Sequence, residues 1–425
     1  MKPAARKFWR RTGGVFALAV SGALPAAPSA VAWLPADLPP LPAAGPVLCP
    51  REYLTPTQGA EVLAAATAHF KTREAWETYA ALVRRQIQAG AGLDPWPRRT
   101  PLNAIVRDRR EHDGYSVENV ALETLPGVFA CGNLYRPLHA TGKCPGILTT
   151  HGHSPAIKTP ADWARHGRFQ ADVQIRAATL ARMGAVVLTI DMFGYGDSWT
   201  EFGPDAHRRP EAMTFQLWNN RRALDFMAGL EGVDPTRLAV TGESGGATQA
   251  LLLAALDPRI AVSVPVVMVS SYFFGGCPCE SGQPIHRSAE HFANNAMIAA
   301  LAAPRPMLVV SDGGDWTKHT PGVEYPFLQS IYRLFAAEER VANVHLPAEG
   351  HDYGPSKRAA MERFLETRLR LAVGRGVDGA ERADESRVTI EAPETMRLFN
   401  EAHPLPPQAR RHVEVALAEL QRLQR

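Results

Sequence analysis

The stretch RLAVTGESGGATQALLLAAL, residues 237–256, holds the pattern G-x-S-x-G at Gly242 to Gly246. A short apolar run leads into the pattern, and a proline-free stretch typical of a helix leads out of it. A serine on such a sharp strand-to-helix turn projects its hydroxyl above the sheet, while the glycines let the two backbones pack closely. The free N–H groups at the start of the helix attract an anion to the same place. The stretch therefore predicts an α/β fold with Ser244 as a nucleophile, and the alternative is an ordinary tight turn capped by Ser244.

Outward from this stretch, short apolar runs alternate with longer stretches of helical periodicity. Such alternation predicts a mostly parallel sheet covered by helices on both faces. The α/β domain is predicted to span residues 116–372, and it begins with two β-like runs joined by Pro126-Gly127. We expect those runs at 116–123 and 128–135, further strands at 146–150, 185–191, 238–241, 260–269, 307–311 and 341–346, and helices at 170–182, 211–230, 245–256, 290–301, 325–337 and 356–371.

The regions on either side of this domain follow different patterns. Residues 33–50 are rich in proline, which predicts an extended arm, and residues 57–88 carry apolar residues at helical spacing. We therefore expect residues 33–115 to form an arm and a helical N-terminal extension. Beyond the domain, residues 373–425 are charged and predict a C-terminal extension, with a short strand at 388–391 and a terminal helix at 413–423.

A serine hydroxyl attacks only when a base takes its proton, so an acid and a histidine should follow Ser244 in that order. His351 lies in EGHDY, residues 349–353, between the last predicted strand and the closing helix, where the base is expected. The acid is expected in SDGGDW, residues 311–316. Asp315 lies a few residues beyond the strand end, within reach of a histidine on the neighbouring loop. We favour it over Asp312, which is closer to the strand and suited to bracing the turn.

An oxyanion hole needs two N–H donors, and two loops are placed to supply them. One donor is predicted to be the backbone N–H of Gly245. The other is assigned to His153 in THGHS, residues 150–154, the loop after the first predicted parallel strand. We interpret His151 as a hydrogen-bonded brace beneath the site. Asp191, in the glycine-rich DMFGYGDS at 191–198, is interpreted as structural although its position after a strand looks catalytic.

The cysteines bear on both redox state and metal binding. The chain has five, Cys49, Cys131, Cys144, Cys277 and Cys279. In an oxidising compartment some could pair, and the odd number leaves at least one without an intramolecular partner. Cys277-Pro278-Cys279 has the form of half a zinc site, but no second pair lies at ligand spacing. We therefore favour a buried structural pair and predict no metal and no cofactor.

The first 32 residues are typical of a secretory signal peptide. Five basic residues without an acidic one precede an apolar stretch at 13–24, and the small residues Ala30-Val31-Ala32 follow. We predict cleavage after Ala32 and a periplasmic or secreted protein; the alternatives are an uncleaved membrane anchor and a disordered leader. The whole chain has a net charge of +3, but residues 33–425 hold 41 basic and 43 acidic residues, a net charge of −2. That balance gives no reason to expect nucleic acid as a partner, and no apolar run beyond the leader is long enough to span a membrane.

The chain resembles the α/β-hydrolase superfamily, most closely its acetylxylan-esterase-like, dienelactone-hydrolase-like and prolyl-oligopeptidase-like branch. The resemblance covers residues 116–371 and rests on HGH, DMFGYGDS, GESGG, GGCPCE, GDWTKHTP and GHDYGPSKR in that order. It implies the α/β-hydrolase fold and a serine triad of Ser244, Asp315 and His351, since similar proteins carry a GDWT loop that favours Asp315 over Asp312. The resemblance implies the substrate only loosely.

These patterns together predict an exported serine carboxylic-ester hydrolase that works through an acyl-enzyme. Acetyl or uronoyl esters of plant polysaccharides are the preferred substrates. Trp316, Trp199 and Tyr272, with Phe273 and Phe274, could stack on sugar rings, although any one of them could equally be a core residue. Two alternatives stay open, a serine peptidase of the prolyl-oligopeptidase type and an inactive binding protein. Against the first, the residues before 116 are too few for the propeller domain those relatives usually add.

Overall fold

The structure is a computed structural model that describes residues 31–41, 46–154, 156–203, 205–372 and 383–425. Nine strands in these residues form one sheet in the order β1-β2-β3-β5-β4-β6-β7-β8-β9. In this spatial order, the neighbours from β1 to β5 pair antiparallel. The neighbours from β5 across β4 to β9 pair parallel. The strands are β1 Ile105–His112, β2 Tyr115–Leu125, β3 Val128–Pro137, β4 Cys144–Thr150, β5 Val186–Ile190, β6 Val233–Glu243, β7 Ile260–Val266, β8 Met307–Asp312 and β9 Val341–Leu346.

Helices cover both faces of the sheet. Successive residues of a strand point to opposite faces, so Ala239 packs with helices α3 and α10, while Leu238 and Val240 pack with α5, α6, α8 and α9. The predicted architecture, a mostly parallel sheet with helices on both faces, is confirmed. The α-helices are α1 Pro56–His69, α2 Arg73–Gly90, α3 Ala171–Arg182, α4 Gly196–Phe202, α5 Glu211–Gly229, α6 Gly245–Leu256, α7 Pro278–Ser281, α8 Asn295–Ala300, α9 Glu324–Arg333, α10 Pro355–Leu369, α11 Pro393–Met396 and α12 Val413–Gln424.

Some predicted elements differ from those observed. The helical stretch at 57–88 is two helices, because Thr72 caps α2 by accepting a hydrogen bond from the N–H of Ala75. The helix expected at 290–301 begins only at Asn295, where the side chain of Asn294 caps it. The strand predicted at 388–391 is wrong, because Glu391 bonds instead to the side chain of Gln174. Strand β1 and helix α4 were not predicted.

The two flanking regions pack against the sheet domain. The arm pairs with the segment around residue 275, where the N–H of Arg51 donates to the carbonyl of Gly275 at 2.8 Å. Trp33 packs edge-on against Phe70, the residue that ends α1, and against Tyr79 of α2. The C-terminal extension buries Leu398 against β2 and β3. Helix α12 adds its apolar face, including Leu420 and Leu423, to the larger core.

The predicted signal peptide lies, apart from its last two residues, outside the described residues. Among the helices that the structure describes, none has the length and apolarity needed to cross a membrane.

Candidate active site

Ser244 lies on a strained turn between β6 and α6. Its φ of 53° and ψ of −123° fall in a region that non-glycine residues rarely occupy, and such strain clusters at functional sites. The turn is tight because its glycines have no side chains: a Cβ on Gly242 would lie 2.3 Å from Thr150 Oγ1, and one on Gly246 would lie 2.6 Å from the Thr150 carbonyl oxygen. The motif therefore holds β4, β6 and α6 in close contact and presents Ser244 at the helix N-terminus.

Asp315 and His351 lie together on the loops after β8 and β9. Asp315 Oδ2 is 2.5 Å from His351 Nδ1, and the Asp315 side chain is only 3% exposed. The other carboxylate oxygen accepts hydrogen bonds from the N–H and the hydroxyl of Thr317, each at 2.6 Å. These two donors fix the rotation of the carboxylate, so Oδ2 faces the imidazole. The arrangement is the one in which an acid orients a catalytic base.

Asp312 has a different set of contacts. Its Oδ2 lies 3.3 Å from Nζ of Lys357, and both side chains are fully buried. Lys357 also donates to the carbonyl of Gly350 at 2.6 Å and to Asp352 at 2.7 Å. Burial, with the nearby charge of Asp315 second, raises the pKa of Asp312. Asp312 therefore braces the loop that carries His351, through Lys357, and Asp315 is the carboxylate that contacts the imidazole.

The loop after β4 is held beneath Ser244 by buried hydrogen bonds. His151 donates from Nδ1 to the carbonyl of Gly152 at 2.9 Å and accepts at Nε2 from the N–H of Met192 at 3.0 Å. Burial lowers the pKa of His151 to about 3, so the ring is neutral, as this pair of bonds requires. The N–H of Gly152 donates to Glu243 at 2.7 Å and so is not free for substrate. These contacts fit the interpretation of His151 as a brace.

The two residues predicted to supply the oxyanion donors are in contact with each other. A Cβ on Gly245 would lie 2.7 Å from Cε1 of the His153 ring, so this histidine packs directly against the residue after Ser244. Both follow the carboxyl ends of the neighbouring parallel strands β4 and β6, where ligands bind in open α/β sheets. The assignment of Gly245 and His153 as the two donors stays a prediction.

A pocket of about 640 Å³ opens above Ser244. Trp316 lines it, stacked on Phe273 with ring centroids 3.9 Å apart and 4.5 Å from the His351 ring. The other two aromatic residues predicted to bind substrate do not line it. Trp199 packs behind the pocket among core residues, and Tyr272 is buried.

Other pocket residues were missed by the sequence analysis. Arg51 and Arg208 are both exposed at the rim, and the Arg208 guanidinium lies 5.8 Å from the ring centroid of Trp163. Glu52 lies beside them. Arg51 and Glu52 come from the N-terminal arm and Arg208 from the segment between α4 and α5, and no sequence motif connects those segments to the serine.

Asp191 is part of a buried ionic network. It pairs with Arg168, which also lies 2.5 Å from Asp197, and the N–H of Asp197 donates to Asp191 at 3.0 Å. The N–H groups of Leu398 and Phe399 donate to Asp197, so the network ties the C-terminal extension to the loop after β5. These contacts agree with a structural role for Asp191.

All five cysteines are free thiols in the structure, and two of them join a histidine pair at the pocket wall. His153, His207, Cys277 and Cys279 present one ligand atom each, all within 4.8 Å of one another. The hydrogen bond from Cys279, together with those from His153 and His207, lowers the pKa of the Cys277 thiol well below its ordinary value. His207 was not singled out from the sequence, because it is separated from its neighbours in space by long stretches of chain.

With the geometry in view, the chain can be compared with known proteins. No family model matches it. Among solved structures, the methylesterase BT1017 is 40% identical with a TM-score of 0.79, and the match covers 88% of this chain and 80% of that one. The chain belongs to the family of this esterase. It is therefore an α/β-hydrolase and a carboxylic-ester hydrolase, as the sequence analysis predicted.

Two curated relatives of this esterase match shorter parts of it. YtaP of Bacillus subtilis (strain 168), named as a hydrolase, is 24% identical over 252 residues. This match covers 55% of the present chain and 81% of YtaP. The 4-O-methyl-glucuronoyl methylesterase 1 of Sodiomyces alcalophilus is 30% identical over 132 residues. That second match covers 24% of this chain and 26% of the relative.

Proposed function

We propose that the esterase cleaves its substrate through Ser244, His351 and Asp315. Ser244 Oγ attacks the ester carbonyl while His351 Nε2 takes its proton, and the same imidazolium then protonates the departing alcohol. Water, deprotonated by His351, releases the acid from the acyl-enzyme. The backbone N–H groups of Gly245 and His153 stabilise the oxyanion. The observation that carries the proposal is the 2.5 Å contact between Asp315 and His351, on loops beside the pocket that Ser244 lines.

The substrate class that fits the pocket best is a methyl ester of a uronic acid within a carbohydrate chain. Arg51 and Arg208 at the rim form no ion pair with any described residue, so both guanidinium groups are available to a ligand. In a partly esterified polyuronide, the sugars next to the ester carry free carboxylates, which guanidinium groups bind in bidentate fashion. Trp316, which is partly exposed at the pocket wall, offers a ring on which a sugar can stack, whereas Trp163 lines the pocket but is buried. The names of two relatives, both methylesterases, point in the same direction.

Release of methanol from methyl-esterified polygalacturonate, compared with release of acetate from acetylated xylan, tests this proposal. We expect methanol release to dominate and Ser244→Ala to lower kcat by at least about a thousandfold. Activity that survives Ser244→Ala would refute the serine mechanism. Acetate release exceeding methanol release would refute the uronate ester while leaving the triad intact.

The rim arginines need a separate test. Arg208→Gln should raise KM for the polyuronide by roughly ten- to a hundredfold, since a hydrogen bond to a charged group contributes roughly 1.5–3 kcal/mol. It should leave kcat on p-nitrophenyl acetate, which has no carboxylate, unchanged. Arg85→Gln, at an exposed arginine on α2, is the matched control. An equal change of KM for the polyuronide in Arg208→Gln and Arg85→Gln would show that the rim arginines do not bind the substrate.

Export is the second part of the proposal. Removal of residues 1–32 would leave Trp33 as the first residue, and its ring packs against Phe70 and Tyr79. The new N-terminus would therefore begin at a residue that is held by the fold. N-terminal sequencing of protein recovered from the periplasm or medium should start at Trp33. Recovery of the intact chain in the membrane fraction would instead favour an uncleaved anchor.

A further inference from the structure

Four side chains from three segments bring metal-ligating atoms to one point at the pocket wall. His153 follows β4, His207 lies between α4 and α5, and Cys277 and Cys279 flank the start of α7. The Nε2 atoms of the two histidines are 2.9 Å apart, and Cys279 Sγ lies 3.2 Å from His153 Nε2. His207 and Cys279 are buried, and the other two are partly buried. This is a set of two nitrogens and two sulfurs from residues that the ester chemistry does not use as side chains.

The separations are close to those of a tetrahedral zinc site. With Zn–N near 2.05 Å and Zn–S near 2.3 Å, tetrahedral ligands lie about 3.3 Å apart for two nitrogens and about 3.6 Å for nitrogen and sulfur. The two distances given above are a few tenths of an ångström shorter than these, and all four ligand atoms lie within 4.8 Å of one another, so small side-chain movements would place them around an ion. An N₂S₂ donor set favours Zn²⁺ over Mg²⁺ or Ca²⁺, which prefer oxygen ligands.

Groups around the cluster already position three of the four ligands. Nδ1 of His207 lies 2.8 Å from the carbonyl of Phe193, and donation to that oxygen keeps the proton on Nδ1 and leaves the Nε2 lone pair facing the cluster. Histidine ligands of metals are commonly fixed by a hydrogen bond of this type. The carboxylate of Glu280 accepts from the N–H groups of Gly276 and Cys277 at 2.9 and 3.0 Å, which shapes the turn that carries both thiols.

The backbone also makes room for His207. Gly194 has a φ of +85°, and a Cβ there would lie 2.5 Å from the backbone nitrogen of His207. Only glycine allows the DMFGYG loop to approach the histidine this closely. The DMFGYG loop and the turn held by Glu280 are thus both shaped so that His207 lies beside the cysteines.

We propose that His153, His207, Cys277 and Cys279 bind one Zn²⁺ ion in a closed structural site next to Ser244. Both cysteines bind as thiolates and release their two protons to solvent, and the two negative charges balance the ion. All four tetrahedral positions are filled by protein, so the ion has no open position for substrate. Because the His153 ring packs on Gly245, the ion holds in place the loop predicted to carry the second oxyanion donor. The site does not depend on the identity of the ester substrate.

The competing state is a disulfide between Cys277 and Cys279, which would remove both sulfur ligands. The two states differ in mass and in metal content, so one sample distinguishes them. Native and denaturing mass spectrometry of the purified full-length esterase should show one zinc ion per chain and fully reduced cysteines after denaturation. A denatured mass two hydrogens lower, located to the peptide containing Cys277 and Cys279 in zinc-free protein, would overturn the proposal.

Variants locate the ion. After chelation and return of stoichiometric Zn²⁺, Cys279→Ser and His207→Ala should weaken zinc affinity roughly tenfold or more in competition with a chromophoric chelator. Cys144→Ser and His291→Ala change buried residues of the same types outside the cluster and should leave the affinity unchanged. An equal loss of zinc affinity in all four variants would refute the assignment of these ligands. So would an unchanged zinc affinity in Cys279→Ser and His207→Ala.

Binding of Co²⁺ to the unmutated protein tests the site without any variant, so its result does not depend on whether the variants fold. Co²⁺ added to the unmutated, zinc-depleted esterase should give the intense visible absorption of a tetrahedral site and a near-ultraviolet thiolate-to-metal charge-transfer band. Zn²⁺ should displace both signals. Weak octahedral absorption without a charge-transfer band would show that the cysteines do not ligate, and would overturn the proposal independently of the ester assays.

Discussion

Asp315 and Asp312 lie three residues apart, and the structure predicts opposite consequences for replacing each carboxylate by an amide. In Asp315→Asn, the two donors of Thr317 still require an acceptor at the Oδ1 position, so the new NH₂ group must face His351. An NH₂ group 2.5 Å from Nδ1 needs a lone pair there, which moves the imidazole proton to Nε2. That nitrogen can then no longer accept the proton of Ser244.

The magnitude follows from this tautomer change. A wrong tautomer in a serine triad lowers kcat about 10⁴-fold, equivalent to roughly 5 kcal/mol of barrier. Stability should change little, since the amide keeps the Thr317 bonds. Asp312→Asn instead places an amide against buried Lys357, whose ammonium keeps Gly350 and Asp352 as partners. We expect a loss of about 1–3 kcal/mol in the free energy of unfolding and a change in kcat of less than about tenfold.

The assay combines kcat on p-nitrophenyl acetate near pH 7.5 (about one pH unit above the ordinary pKa of histidine) with urea unfolding of each variant. Asp315→Asn retaining more than a tenth of kcat while folded would refute the tautomer argument. Equal losses of kcat in two stably folded variants would show that the two carboxylates do not have the separate roles inferred from their contacts.

Three further predictions concern the buried acid on α10, the pocket wall and the DMFGYG loop. Burial raises the pKa of Glu362 to about 8. The folded state therefore binds more protons than the unfolded state between about pH 4.5 and 8. The free energy of unfolding should fall as the pH rises across that window, by at most about 1.4 kcal/mol per pH unit. In Glu362→Gln, the free energy of unfolding measured with urea at pH 5 and pH 8 should not show the part of this fall that comes from Glu362. Trp316→Ala should lower kcat/KM up to about tenfold, since the ring packs on His351. Gly194→Ala should cost roughly 1–3 kcal/mol in thermal or urea unfolding, because the new Cβ would meet His207.

Matched substitutions separate these effects from general disturbance. Glu366→Gln, one turn along the same helix as Glu362, should keep the wild-type pH dependence, and an equal change there would contradict the burial argument. Trp199 lies behind the pocket wall, so Trp199→Ala should leave kcat/KM unchanged. Gly203→Ala has a similar φ of +83° but open space at Cβ, so a loss equal to that of Gly194→Ala would assign the cost to backbone strain and not to the contact with His207.

Much of the fold and part of the site were predictable because the signals are local. The strand and helix around Ser244 are encoded by adjacent residues, and the loops carrying Asp315 and His351 follow recognisable apolar runs. The misses have local causes as well. Strand β1 has an unbroken run of charged residues at 107–111, and so lacks the apolar pattern of a buried strand. Residues 388–391 have a β-like composition, but their backbone groups bond to side chains of the domain instead.

The sequence by itself determined the class of enzyme and the order of its reactive groups. A G-x-S-x-G turn between a strand and a helix, followed by an acid and a histidine after later strands, specifies where the ends of parallel strands will bring those side chains. Only the tertiary structure decided which carboxylate faces His351, since Asp312 and Asp315 differ in their contacts with Lys357 and Thr317. It alone placed His207 beside two cysteines. Contacts between loops that are distant along the chain depend on how the sheet orders its strands, and no local spacing encodes that order.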